Sequence, residues 1–94
     1  IFCSNDILAV GALKALKDHH LKIPDDVSLI SIDDIETAGY LSPMLTTIRI
    51  PIQEMGAMAV KLLIDRIEGG HHIPIKVNLP NRIVYRDSCG QCKK

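Results

Sequence analysis

Ser28-Leu29-Ile30-Ser31-Ile32-Asp33-Asp34 is a short β-prone run that stops on two adjacent carboxylates, and its reading decides the fold. A run of Val, Leu and Ile bounded by turn residues predicts a strand, from about Val27 to Ile32, buried on both faces as in a parallel sheet. In open α/β sheets, ligands bind beyond the carboxyl ends of the strands, where loops carry polar groups out of the core. A second β-prone run, Ile1-Phe2-Cys3-Ser4, ends in the same way on Asn5-Asp6. Two strand ends that each deliver polar groups point to one site for a hydroxyl-rich ligand.

Between these runs, Asp6 is read as the N-cap of a helix from Ile7 to His19, rich in alanine, leucine and lysine. Leu8, Ala12, Ala15 and Leu16 form one apolar stripe at helical spacing, and Ile7, Val10 and Leu13 form a second beside it. A helix apolar over more than one stripe is either deeply buried or covers a partner. Leu21 to Asp26 contains Pro24 and two aspartates and reads as a turn. Strand, helix and strand in about 30 residues fit a βαβ unit, so the fold class is α/β.

Downstream, a loop from Asp33 to Pro43 holds a helical turn around Glu36 to Leu41, and Leu45 to Ile50 is β-prone. Pro51 suits the first position of a second helix, because its missing N–H has no intrahelical partner there. That helix is predicted to reach Glu68 and to stop at Gly69-Gly70. Ile52, Met55, Ala59, Leu62, Leu63 and Ile67 give it an apolar face, and Lys61 and Asp65 are spaced to pair on the outside. Alternation predicts strands over Ile75–Leu79 and Arg82–Arg86, and residues 87–94 read as a frayed polar tail.

Composition removes several functions. The 94 residues carry 11 basic and 11 acidic side chains and only 3% aromatics. Neither a basic stripe for duplex DNA nor a stacking surface for single strands is present. No window reaches the length of a membrane span, and the first residues lack the basic and apolar regions of a signal peptide. The chain starts inside a strand-like run, so it is expected to be a fragment.

Five blocks of residues carry a family resemblance. They are Ser4-Asn5-Asp6-Ile7-Leu8-Ala9-Val10-Gly11-Ala12-Leu13, Ile23-Pro24-Asp25-Asp26-Val27-Ser28, Asp33-Asp34, Pro43-Met44-Leu45-Thr46-Thr47-Ile48 and Glu54-Met55-Gly56. In this order and spacing they resemble the effector domain of the lac-repressor/galactose-repressor transcriptional regulators across nearly the whole chain. The resemblance implies a periplasmic-binding-protein-like fold, a parallel sheet flanked by helices, present here as a partial domain. It implies that residues 1–94 are the C-terminal part of a sugar-binding and dimerisation domain, that residues 51–69 form a helix of the N-terminal lobe, and that a helix-turn-helix lies upstream. Asn5 and Asp33 fall on effector-binding positions, where a carboxylate can accept hydrogen bonds from two sugar hydroxyls. Asn and Asp after strands also serve as caps and turn formers, the role assigned to Asp6 and Asp34. Ile7, Val10, Leu13, Lys14, Tyr40 and Leu41 are the expected contacts of a two-fold homodimer.

Three positions depart from the family pattern: Ile32 replaces an aromatic residue, Ile50 a glutamine that can reach ligand, and His20 the glycine that ends the first helix. The implied protein is a cytoplasmic, non-enzymatic sugar switch that reaches operator DNA through its missing domain. The rival is a periplasmic sugar-binding protein of the same fold. Cys89-Gly90-Gln91-Cys92 has redox-pair spacing but no helix to stabilise a thiolate, and His19-His20 and His71-His72 lack helical metal-pair spacing. No cofactor or metal is expected.

Overall fold

Asn5, rather than Asp6, caps the first helix. In the computed structural model, which describes residues 1–92, α1 spans Asp6–Asp18 and the Asn5 side chain accepts from the Leu8 N–H at 2.9 Å. Helix phase follows from this start. Asp6, Ala9 and Leu13 are buried on one stripe, with Leu16 half-buried beyond them. Ile7, Leu8 and Val10 face solvent. Of the stripe Leu8, Ala12, Ala15 and Leu16, only Ala12 and Leu16 are half-buried, and Leu13, expected in the dimer contact, is buried in the core. The inward stripe opens on a carboxylate, which apolar periodicity does not register.

Strands β1 (Ile30–Asp33) and β2 (Thr46–Arg49) are parallel, with Asp33 opposite Arg49. Strand β3 (Arg82–Val84) is antiparallel to β2, so the sheet is mixed, in the order β1-β2-β3. The first β-prone run contributes only a parallel bridge from Phe2 to Ile30, with the Cys3 N–H donating to the Ile30 carbonyl at 2.8 Å. Strand β1 begins later than predicted because the Leu29 N–H turns to the Ser88 carbonyl instead of a ladder partner. Burial on both faces also fails. Leu29 and Ser31 are fully buried while Ile30 and Ile32 are half-buried. Ile75–Leu79 forms no strand, flanked as it is by prolines that cannot donate to a ladder.

The chain divides into two compact units, one formed by Ile1–Ile50 with the segment from Arg82 onward, the other by Pro51–Asn81. In the first, Ala9, Leu13, Leu29, Ala38 and Leu45 make the core, with Cys3, Ala12, Ile23, Ile35 and Leu41 packed around it. The loop after β1 contains a 3-10 turn at Glu36–Gly39. The tail is not frayed at its start. Ser88 is fully buried, its Oγ donating to the Leu29 carbonyl at 2.6 Å and accepting from the Thr46 N–H at 2.8 Å. The end of the predicted tail, residues 93–94, lies outside the described residues.

In the second unit, α2 runs over Ile52–Ile67 with Pro51 as its N-cap residue, one position before the predicted role. No residue of α2 is buried. Asp65 does not pair with Lys61. Its carboxylate meets His71 Nδ1 at 2.6 Å, and the imidazole, expected in solvent, is largely covered. A Cβ at Gly70 would sit 2.1 Å from Asp65 Oδ1, so a larger residue there would displace the Asp65 carboxylate from this geometry.

Candidate functional site at the carboxyl edge of the sheet

The first β-prone run, β1 and β2 run parallel, so Asn5, Asp33-Asp34 and Arg49-Ile50 all emerge at one edge of the first unit's sheet. Their side chains divide into spent and unspent groups. Asp34 is spent. Its Oδ2 accepts from Arg49 Nε at 2.5 Å and its Oδ1 from Arg86 Nη2 at 2.7 Å, with the carboxylate only 7% exposed. Burial alone would push this carboxyl up. The Arg86 hydrogen bond, then that of Arg49, and both positive charges outweigh it and hold Asp34 below its ordinary value. Arg86 is held in turn, donating through Nη1 to the Leu45 carbonyl at 2.8 Å.

Asp33 differs from its neighbour in kind. It is half-buried, and among the described residues its carboxylate has no hydrogen-bond or ion-pair partner. Its backbone sits at φ 129° and that of Asp34 at 58°, both in the region that disfavours side chains. The β1–β2 register places Asp33 across from Arg49, but Arg49 turns to Asp34. Asn5 is half spent: its oxygen caps α1, while its Nδ2 donors are unengaged among the described residues. The edge therefore presents an unpaired acceptor, Asp33, and an unpaired donor, Asn5, which is the complement that vicinal hydroxyls require. Ile50 is half-buried and supplies no side-chain polar group at this edge.

Beneath these two lies Asp6, fully buried. It accepts from Ser31 Oγ, from Thr47 Oγ1 at 2.7 Å and from the Ile35 N–H at 2.8 Å. Sequence reasoning made Asp6 a cap and passed over Arg86 and Thr47. A pairing over a span such as Arg86–Asp34 leaves no local pattern in the chain. The open groove of about 530 Å³ nearby is lined by Asp34, Ile35, Glu36, Gly39, Tyr40, Arg49 and Arg86, without Asn5 or Asp33. A second groove, of about 580 Å³, lies near the carboxyl end of α1 between Lys17, Lys22 and Pro43.

Of the expected dimer contacts, Ile7 is 73% exposed and Tyr40 80% exposed, and Val10 and Lys14 also face solvent. Leu41 is half-buried against the core, and Leu13, at 4%, has no face left for a partner. Among the described residues no cluster of three side chains is arranged to hold a metal, and no helix is long and apolar enough to cross a membrane.

Residues 1–89 match the periplasmic binding protein-like domain family. The chain is 43% identical over 89 residues to the HTH-type transcriptional repressor MelR of Bacillus subtilis, covering 95% of this chain and 26% of the repressor. It superposes with a TM-score of 0.85 and 39% identity on a LacI family transcriptional regulator from Enterococcus faecium with bound ribose, covering 98% of this chain and 34% of that one. A complex of the transcriptional regulator CelR with cellobiose matches with a TM-score of 0.88 and 30% identity, over 93% of this chain and 27% of that one. The chain thus spans about a quarter of the length of the repressor it matches.

Proposed function

The chain belongs to the periplasmic binding protein-like domain family, and from that premise we propose that it is the effector-binding and dimerisation part of a sugar-responsive transcriptional regulator. The observation that carries this reading is the Asp33 carboxylate, held at a strained strand end without a partner while the adjacent Asp34 is saturated by two arginines. An unpaired, half-buried carboxylate keeps its acceptor capacity for hydroxyls of a ligand, and such charge-assisted hydrogen bonds are stronger than neutral ones. Backbone strain of this kind collects at ligand sites. The ribose and cellobiose held by related regulators support a sugar as the effector class.

The remainder of the regulator completes the reading. The chain is the C-terminal part of its effector domain, and the division at Ile50/Pro51 with return at Arg82 supports assigning residues 51–69 to the N-terminal lobe. Operator DNA is bound through a helix-turn-helix elsewhere in the protein, which works in the cytoplasm. The exposed outer stripe of α1, Ile7, Val10 and Lys14, with Tyr40, forms a two-fold dimer contact. A sugar that binds one lobe arrangement more tightly than the other shifts the equilibrium between them, and only that difference in affinity couples it to DNA.

The deciding experiment is calorimetric titration of the intact regulator with a panel of pentoses, hexoses and disaccharides that includes ribose and cellobiose. Loss of two charge-assisted hydrogen bonds in Asp33→Ala is expected to weaken sugar binding roughly 100-fold and to leave operator affinity without sugar unchanged. Unaltered sugar affinity in that variant sinks the assignment.

A further inference from the structure

We infer that Asp6 is the positioning residue of this site, fixing the strained Asp33 peptide through both of its flanks and tying it to Asn5. The inference rests on the effector reading of Asn5 and Asp33. Asp6 follows Asn5 directly and is fully buried. One carboxylate oxygen accepts from the hydroxyls of Ser31 and Thr47, and the other accepts from the Ile35 N–H at 2.8 Å. Ser31 lies two residues before Asp33 and Ile35 two residues after it.

A non-glycine residue at φ 129° persists only where its surroundings over-determine it. Asp34 supplies part of that constraint by anchoring to Arg49 and Arg86, on the side of β2 and the chain after β3. Asp6 supplies the rest by drawing residues 31 and 35 onto the first turn of α1. Thr47 serves both anchors, since its Oγ1 donates to Asp6 and accepts from the Asp34 N–H at 3.3 Å. The same carboxylate thereby holds the donor, Asn5, and the acceptor, Asp33, at a set separation, which is what recognition of adjacent hydroxyls needs.

Chemistry separates this role from simple packing. In Asp6→Asn, the remaining oxygen can still accept from Ile35, and the new NH2 can donate to the two hydroxyls once they rotate. In Asp6→Ala, all three donors lose their acceptor. In the intact regulator, titrated with the same sugar panel, Asp6→Ala is expected to weaken binding about tenfold or more, and Asp6→Asn by less than about threefold. Made in an Asp33→Ala background, Asp6→Ala is expected to add only a small further loss, through Asn5, because the larger part of its effect runs through Asp33. Hydrogen exchange in the sugar-free protein is expected to accelerate at the Ile35 amide and not at Ala9, whose N–H is held by the Asn5 carbonyl.

Equal losses in both backgrounds, or unchanged exchange at Ile35, would overturn the inference. Normal binding by Asp33→Ala alone, or no binding by any panel sugar, instead overturns the effector reading, and the exchange arm still decides what Asp6 holds. If Asp6→Ala does not fold, Ser31→Ala deletes one of the three donors and carries the same cycle on a smaller scale.

Discussion

Exchanging Asp34 for its neutral isostere separates charge from shape at the most heavily bonded side chain of the edge. Its folded pKa is depressed, so its contribution to stability is present above the unfolded value, near 3.8, and is lost as pH falls through the lower folded value. The native protein is therefore expected to lose stability steeply below about pH 4, and Asp34→Asn to show a shallower acid slope with lower stability at pH 7. Urea midpoints taken from pH 6 down to pH 3 check this, and parallel slopes refute it. Asp34→Ala, which leaves the largely covered Arg86 without its carboxylate, is expected to cost about 2–3 kcal/mol at neutral pH. At this scale the family resemblance set Asp33 apart from Asp34, expected to shape the loop, but gave no physical basis for the division. That division depends on Arg86, 52 residues from Asp34 along the chain.

Helix ends show how local chemistry and tertiary demand combine. Both helices close in the same way. At α1 the Leu21 N–H donates to the Leu16 carbonyl and His20 to Lys17, while at α2 Gly70 donates to Asp65 and Gly69 to Arg66. This closure needs a left-handed residue, and the chain uses Gly69 at φ 80° in one case and His20 at 58° in the other. The departure at His20 thus changes the residue without changing the turn. His20→Gly is expected to stabilise the protein by about 0.5–1 kcal/mol, and Gly69→Ala to destabilise it by about 1 kcal/mol. Denaturant midpoints at constant m-value check both, and a destabilised His20→Gly would mean that the imidazole makes contacts worth more than the strain. The helices were legible because their alanines, leucines and terminal glycines act locally. The Ile75–Leu79 strand was misread because alternation does not reveal whether a ladder partner exists.

For the whole molecule, the question is what covers the apolar surface the chain leaves open. Ile7 and Val10 on α1 and Tyr40 after the 3-10 turn are exposed. Five buried apolar residues make a small core for the first unit. On the proposed dimer, Ile7→Asp with Val10→Asp in the intact regulator is expected to give a monomer by light scattering at micromolar concentration. Because these side chains lie outside the core, the melting temperature of the monomer itself is expected to change little. A dimer that survives both charges would place the contact elsewhere. Membership of the family was readable from five blocks in register, since each block encodes a local turn, cap or strand end.

The sequence by itself determined the two helices, the strand that stops on Asp33-Asp34, the glycine-closed end of α2 and the polar groups at two strand ends, while the choice of Asn5 and Asp33 among them came from the family resemblance. These follow from propensity, capping and the placement of polar groups at strand ends, which are properties of neighbouring residues. Only the tertiary structure decided that Asp6 is buried beneath the site, that Asp34 is saturated and Asp33 left open, and that Ser88 seals the start of β1. Each of those outcomes depends on which donors and charges the fold brings within hydrogen-bonding distance, and partners 25 to 59 residues apart leave no periodic trace in the chain.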